Sequence, residues 1–228
     1  METARSWDLP QYIEHTQLSP LIRAEEVEKL VAEAKAYQFA GVCVPPYWAK
    51  KARRDLGDSP VQLVTVIGFP LGYQRSEVKV QEVKSAQREG VQEFDVMLNL
   101  SAVKNEAYHW IKIEMAQLSQ IIHEKEGLLK VIIETAYLNE AEMEKVCRVC
   151  VDAGADFIKT SSGFAPEGAT EEKVRFLRQI LPAQIGLKAS GGIRTWAQAQ
   201  ALLKAGAERL GTSQGLAIVS EWKHKTSE

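Results

Sequence analysis

Short apolar runs alternate along the chain with longer stretches whose apolar positions recur every three or four residues. The first pattern predicts strands and the second predicts helices that bury one face. Tyr12 to Leu18 reads as a strand, and Ala24 to Tyr37 as a helix with Val27, Leu30, Val31 and Ala34 on one side. Gly41 to Val44 is a buried strand stopped by Pro45 and Pro46, which cannot continue a ladder. A helix over Tyr47 to Leu56 carries Lys50, Lys51, Arg53 and Arg54 on its solvated side. A strand over Val61 to Phe69 precedes a helix over Ser76 to Glu89, with Ser76 as the expected N-cap and Glu77 in the first turn. Strand Glu93 to Leu100 leads into one long helix from about Lys104 to Glu126. Then come strand Leu128 to Glu134 and helix Asn139 to Ala153, closed by Gly154. Strands Ala155 to Lys159, Ile185 to Lys188 and Glu208 to Gly211 alternate with helices Thr170 to Leu181, Thr195 to Ala205 and Gly215 to Trp222.

Eight strand-helix units in 228 residues predict an α/β fold, a (β/α)₈ barrel. No linker or low-complexity stretch divides them, so one domain is expected over 1–228, with a short N-terminal extension (1–11) and a charged, fraying C-terminal tail (223–228). The competing doubly wound sheet would carry a Gly-x-Gly-x-x-Gly fingerprint after its first strand, and none is present.

Net charge and composition narrow the function by exclusion. A net charge of −2, with 45% hydrophobic and 25% charged residues, points to neither nucleic acid nor an anionic membrane surface. No apolar run approaches the ~20 residues that span a bilayer, and the first eight residues lack the apolar segment of a signal peptide. Three cysteines, Cys43, Cys147 and Cys150, suit a reducing cytoplasm better than a disulfide framework. The Cys147/Cys150 pair has redox spacing but falls inside a helical pattern, so helix packing is expected there. His15, His109, His123 and His224 form no metal-binding spacing.

Side chains alternate across a strand, so each strand has an apolar side for the helices and a second side for the barrel interior. On that second side lie Asp95 and Asn99, Lys130 and Glu134, and Lys188. Lys159 is added to them, although it shares its phase with Phe157. Barrel interiors are normally filled by branched apolar residues, and catalytic groups sit at the C-terminal ends of the strands. A structural ion-pair network is the alternative for any one of these residues. Asp95, Lys159 and Lys188 all lie towards the C-terminal ends. Lys159 and Lys188 are each followed by small residues and glycine. A lysine amine is a poor nucleophile while protonated, and both burial and a neighbouring ammonium disfavour the charged form. Lys188 beside Lys159 would thus free an amine able to form a Schiff base with an aldehyde or ketone. Asp95 is the nearest group for the proton transfers. Gly191-Gly192 and Gly211-Thr212-Ser213 end the last two strands, where barrels often bind phosphate.

These residues, together with Ile13-Glu14-His15-Thr16, Gly68-Phe69-Pro70-Leu71-Gly72, Lys130 to Thr135 and Asp156 to Phe164, resemble the deoxyribose-phosphate aldolase family in order from about Tyr12 to Val219. The resemblance implies a class I, metal-independent aldolase without cofactor. It would cleave 2-deoxy-D-ribose 5-phosphate reversibly to D-glyceraldehyde 3-phosphate and acetaldehyde, in deoxyribonucleotide breakdown, and a homodimer is the assembly common in the family. It implies Lys159 as the Schiff-base lysine, Lys188 as its partner, and Asp95 as the proton-transfer residue, with Glu14 near the relay. Substrate and phosphate contacts would come from Thr16, Asn99, Thr160, Gly163, Gly191, Gly192, Gly211 and Ser213. Glu14 stands where the family usually has aspartate, Ser19 stands where it often has lysine, and the tail lacks the tyrosine some members carry. Two other readings follow from these departures: a Schiff-base aldolase for a different aldehyde donor, and a barrel that binds sugar phosphate without turnover.

Overall fold

The computed structural model describes residues 8–226, so most of the N-terminal extension and the last two residues of the tail lie outside it. Eight parallel strands close into a barrel in sequence order: β1 (Ile13–Thr16), β2 (Gly41–Val44), β3 (Gln62–Ile67), β4 (Glu93–Met97), β5 (Leu128–Ile132), β6 (Phe157–Lys159), β7 (Gly186–Ser190) and β8 (Arg209–Thr212). Helices wrap the outside: α1 (Ala24–Tyr37), α2 (Ala49–Leu56), α3 (Ser76–Arg88), α4 (Leu100–Lys104), α5 (Tyr108–His123), α6 (Glu140–Asp152), α7 (Glu171–Ile180), α8 (Trp196–Lys204) and α9 (Gly215–Thr226).

Local sequence explains several helix starts. Asn139 and Thr195 form capping boxes with Glu142 and Gln198, and Thr170 accepts from the Lys173 amide. Ser76 departs from expectation: it is the first residue of α3, and its hydroxyl donates to Glu114 on α5 at 2.7 Å instead of capping the helix. The long helix expected from Lys104 to Glu126 is two helices. Asn99 caps α4 through the Ala102 amide, which ends β4 at Met97, and Glu106 at φ +54° turns the chain before α5 begins. Beyond Trp222, α9 continues to Thr226, and the Lys223 ammonium lies over the Tyr37 ring at 5.5 Å.

The main apolar core lies between barrel and helices, where Val42, Phe94, Val131, Ile158 and Leu187 meet the inner faces of the helices. Inside the barrel the apolar residues form a small separate cluster, Cys43, Val64 and Val66, joined by Leu18 and Phe69 at the mouth. Burial pushes the Cys43 thiol up to about 11, so it packs there as a neutral group. The same interior also holds the buried charged residues Glu14, Glu93, Asp95, Lys130, Lys159 and Lys188.

Gly186 settles the phase of β6. A Cβ at Gly186 would come within 2.2 Å of the Phe157 ring, so Phe157 points inward and fills the space its neighbour leaves open. Lys159, two residues on, therefore also points inward. Gly186→Ala should overpack this floor and lower stability by about 1–3 kcal/mol. Thermal denaturation measures it, and an unchanged midpoint would remove Phe157 from the barrel floor.

Candidate active site

Six ionisable side chains from five strands meet inside the barrel: Glu14 from β1, Glu93 and Asp95 from β4, Lys130 from β5, Lys159 from β6 and Lys188 from β7. All are buried, with Glu93 the most exposed at 4%. Three carboxylates and three ammonium groups balance, as a group this dry requires. Strand register brings them together, because Asp95 lies opposite Lys130 and Lys159 opposite Lys188.

Asp95 is the hub. Its Oδ2 accepts from Lys159 at 2.7 Å and from Lys188 at 2.6 Å, and its Oδ1 from Lys130 at 3.1 Å. Burial alone would raise its carboxyl, but Lys130, Lys159 and Lys188 together hold it well below the usual carboxylate range. Lys188 also donates to Glu14. Burial works against the Lys188 charge, yet Asp95 and Glu14 raise its affinity for the proton above that of a free lysine. Lys130 touches three carboxylates, with Glu93 at 2.5 Å and Glu14 at 3.3 Å besides Asp95. The two lysines singled out by sequence are thus not a bare pair, since one carboxylate oxygen lies between them.

The three amines differ in their surroundings. Lys130 is held by three carboxylates and Lys188 by two; Lys159 is held by Asp95 alone. Lys159 is also the one of the three that lines the cleft at the C-terminal mouth. This cleft, of about 290 Å³, is bounded by Thr16, Leu18, Phe164 and the turns after β6, β7 and β8. A larger cavity of about 890 Å³ opens near Gln11, Gln38, Gln62 and Arg209 at the opposite end of the barrel, and no interior lysine lines it.

The mouth turns are built for close approach. Gly163, Gly191 and Gly192 have φ of +90°, +86° and +78°, and a Cβ at Gly163 or Gly192 would meet nothing within 4 Å. Such turns offer backbone N–H groups to an anion. They are tied together from behind: the Thr212 hydroxyl donates to the Ile193 carbonyl at 2.7 Å, and Ser190 to the Ser161 carbonyl at 2.5 Å. Glu134 at φ +53° accepts from the Ser162 amide and hydroxyl, anchoring the turn before Gly163.

The other residues singled out by sequence divide. Thr16, Gly163, Gly191, Gly192, Gly211 and Ser213 all line the cleft beside Lys159. Thr160 is fully buried behind it, with its hydroxyl between Ser161 and the Ser190 backbone. Asn99 serves as the cap of α4 and is not among the residues lining the cleft. Glu134 faces the mouth turn rather than the lysine cluster. Sequence reasoning did not single out Glu93 as a partner of Lys130, or Gln17, Leu18 and Phe164 as cleft walls. An acidic residue beginning β4 in phase with Asp95 was the available signal for Glu93; the loop residues gave none.

A family model described as DeoC/LacD family aldolase matches residues 9–221. A deoxyribose-phosphate aldolase of Thermococcus gammatolerans is 45% identical over 214 residues, covering 93% of this chain and 95% of its own. Among solved structures, an aldolase called QR15 superposes with a TM-score of 0.91 at 41% identity, covering 96% of this chain and 98% of its own. A deoxyribose phosphate aldolase from Aeropyrum pernix, described as tetrameric, gives 0.89 at 31% identity, covering 94% and 91%.

Proposed function

The chain belongs to the DeoC/LacD family of aldolases, and we propose that it cleaves 2-deoxy-D-ribose 5-phosphate reversibly to D-glyceraldehyde 3-phosphate and acetaldehyde through a Schiff base on Lys159. The observation that carries this reading is that, among the described residues, Lys159 is the one amine lining the cleft and is bonded to the buried carboxylate of Asp95. We assign this activity to a single domain, the barrel described above.

In the cleavage direction Lys159 passes a proton to Asp95 and adds as the neutral amine to the aldehyde carbon of the open sugar; that proton then leaves with the carbinolamine hydroxyl as water, giving a protonated imine. That imine accepts the electron pair of the breaking C2–C3 bond. The C3 hydroxyl loses its proton to Asp95 acting with a water, and D-glyceraldehyde 3-phosphate departs. The remaining enamine takes a proton at C2, and hydrolysis releases acetaldehyde and the lysine. Lys188 stays charged between Asp95 and Glu14 and keeps the carboxylate oriented. The substrate phosphate rests against the turns of Gly163, Gly191, Gly192, Gly211 and Ser213. This activity suits deoxyribonucleotide catabolism in the cytoplasm, where three buried free cysteines stay reduced. A homodimer is the assembly we assign.

Incubation with 2-deoxyribose 5-phosphate, borohydride reduction and peptide mapping test the proposal. A reduced adduct on Lys159 is the expected outcome. A folded protein that takes no label from this sugar or from acetaldehyde would rule out the covalent route.

A further inference from the structure

Outside the barrel, in the helical layer, one lysine is completely buried among the described residues. Lys79 of α3 is 0% exposed and donates to the Met97 carbonyl at 2.9 Å and to Glu114 of α5 at 2.7 Å. The second Glu114 oxygen accepts from Ser76 at 2.7 Å. Burial pulls the Lys79 ammonium below the ordinary lysine value, and Glu114 and Glu82 offset part of that.

The backbone positions it holds lie at the exits of β3 and β4, behind the cleft. Met97 ends β4, two residues beyond Asp95. The Lys79 stem lies against Gly68 at the exit of β3: a Cβ there would come within 2.7 Å of the lysine Cε. Glu82, one turn further along α3, accepts from the Gly68 amide at 2.7 Å. The next residue, Phe69, packs on the interior cluster of Cys43, Val64 and Val66. Its ring meets Phe164 edge to face at 5.3 Å, and Phe164 lines the cleft with Lys159. Helix attachment alone would not require an ammonium, because apolar residues of similar volume commonly replace buried ion pairs at no cost in stability.

We infer that Lys79 is a positioning residue of the active site: it clamps the exits of β3 and β4 together, so that Phe69 backs the cleft wall at Phe164 and Asp95 remains on Lys159. This rests on the aldolase reading above. The phosphate turns belong to β6, β7 and β8, so loss of the clamp should disturb the proton-transfer side and spare phosphate binding.

Steady-state cleavage by Lys79→Met, measured well below its melting temperature, is the test. The expected result is a fall in kcat on the order of 10-fold to 100-fold, the scale of a misplacement near 1 Å. KM should stay within about twofold, as for a loss felt only in the transition state. Unchanged kcat in folded Lys79→Met, or a raised KM with kcat retained, overturns the inference. If Lys79→Met does not fold, Glu114→Gln, which keeps size and an accepting oxygen, should lower kcat several-fold in the same sense, and unchanged kcat there overturns it equally. Wild-type protein that forms no borohydride-reducible adduct would instead sink the aldolase reading itself.

Discussion

Lys159→Met should lower kcat/KM for cleavage by about 10⁴-fold or more and leave the barrel folded. Methionine keeps most of the unbranched stem and removes the one amine that lines the cleft among the described residues. The remaining charges stay paired, because Asp95 keeps Lys188 at 2.6 Å and Lys130 at 3.1 Å. Loss of one ammonium from a balanced set of six does shift the cluster, but the anion it exposes still has two cations. The melting temperature should therefore move little while turnover disappears. Borohydride trapping adds a second readout. The variant should take no label from acetaldehyde, and label appearing on Lys188 would reassign the nucleophile. Lys188 is not expected to substitute, since Asp95 and Glu14 raise its hold on its proton.

Most of this could be read from the chain because strand alternation is strict. Once the strands are placed, Asp95, Lys130 and Lys188 have to face the interior, and charges that dry have to be paired, as they are. Phase alone left Lys159 ambiguous, because Phe157 shares it; what resolves the ambiguity is Gly186 on the neighbouring strand, a cross-strand fact that no single segment contains. Partner choice was the part that stayed hidden. The sequence suggested two adjacent lysines tuning each other, whereas Asp95 sits between them and Lys188 turns also to Glu14. Register and side-chain length together set such contacts. The helix break at Glu106 and the hydroxyl of Ser76 were missed for a related reason. Local capping rules name a candidate, and a tertiary partner such as Glu114 takes it away. The clamp at Lys79 had no signal in periodicity, since a lysine on a helix is ordinarily solvent-facing.

Asp95→Asn should be the most damaging substitution that leaves all three lysines in place. The amide keeps the shape but removes the charge on which Lys130, Lys159 and Lys188 converge, leaving Glu14 and Glu93 against three buried cations. Breaking a buried ion pair costs about 3–5 kcal/mol, and loss of a positioned acid-base group costs about 10²–10⁴-fold in kcat. Both effects are expected together, and calorimetry and steady-state cleavage separate them. The pH dependence of stability gives an independent check with a definite sign. The folded Asp95 carboxyl is held well below its ordinary value of 3.8, so its contribution is complete above that value. That contribution is lost as pH falls from there towards the folded value, where the native carboxylate finally takes a proton. Wild-type protein should therefore lose stability progressively below about pH 4, and Asp95→Asn, already without that carboxylate, should show a flatter acid limb. Equal acid limbs in the two proteins would mean that the carboxylate is not the shared counter-ion of the three lysines. Normal turnover by the variant would move the proton-transfer role to another group.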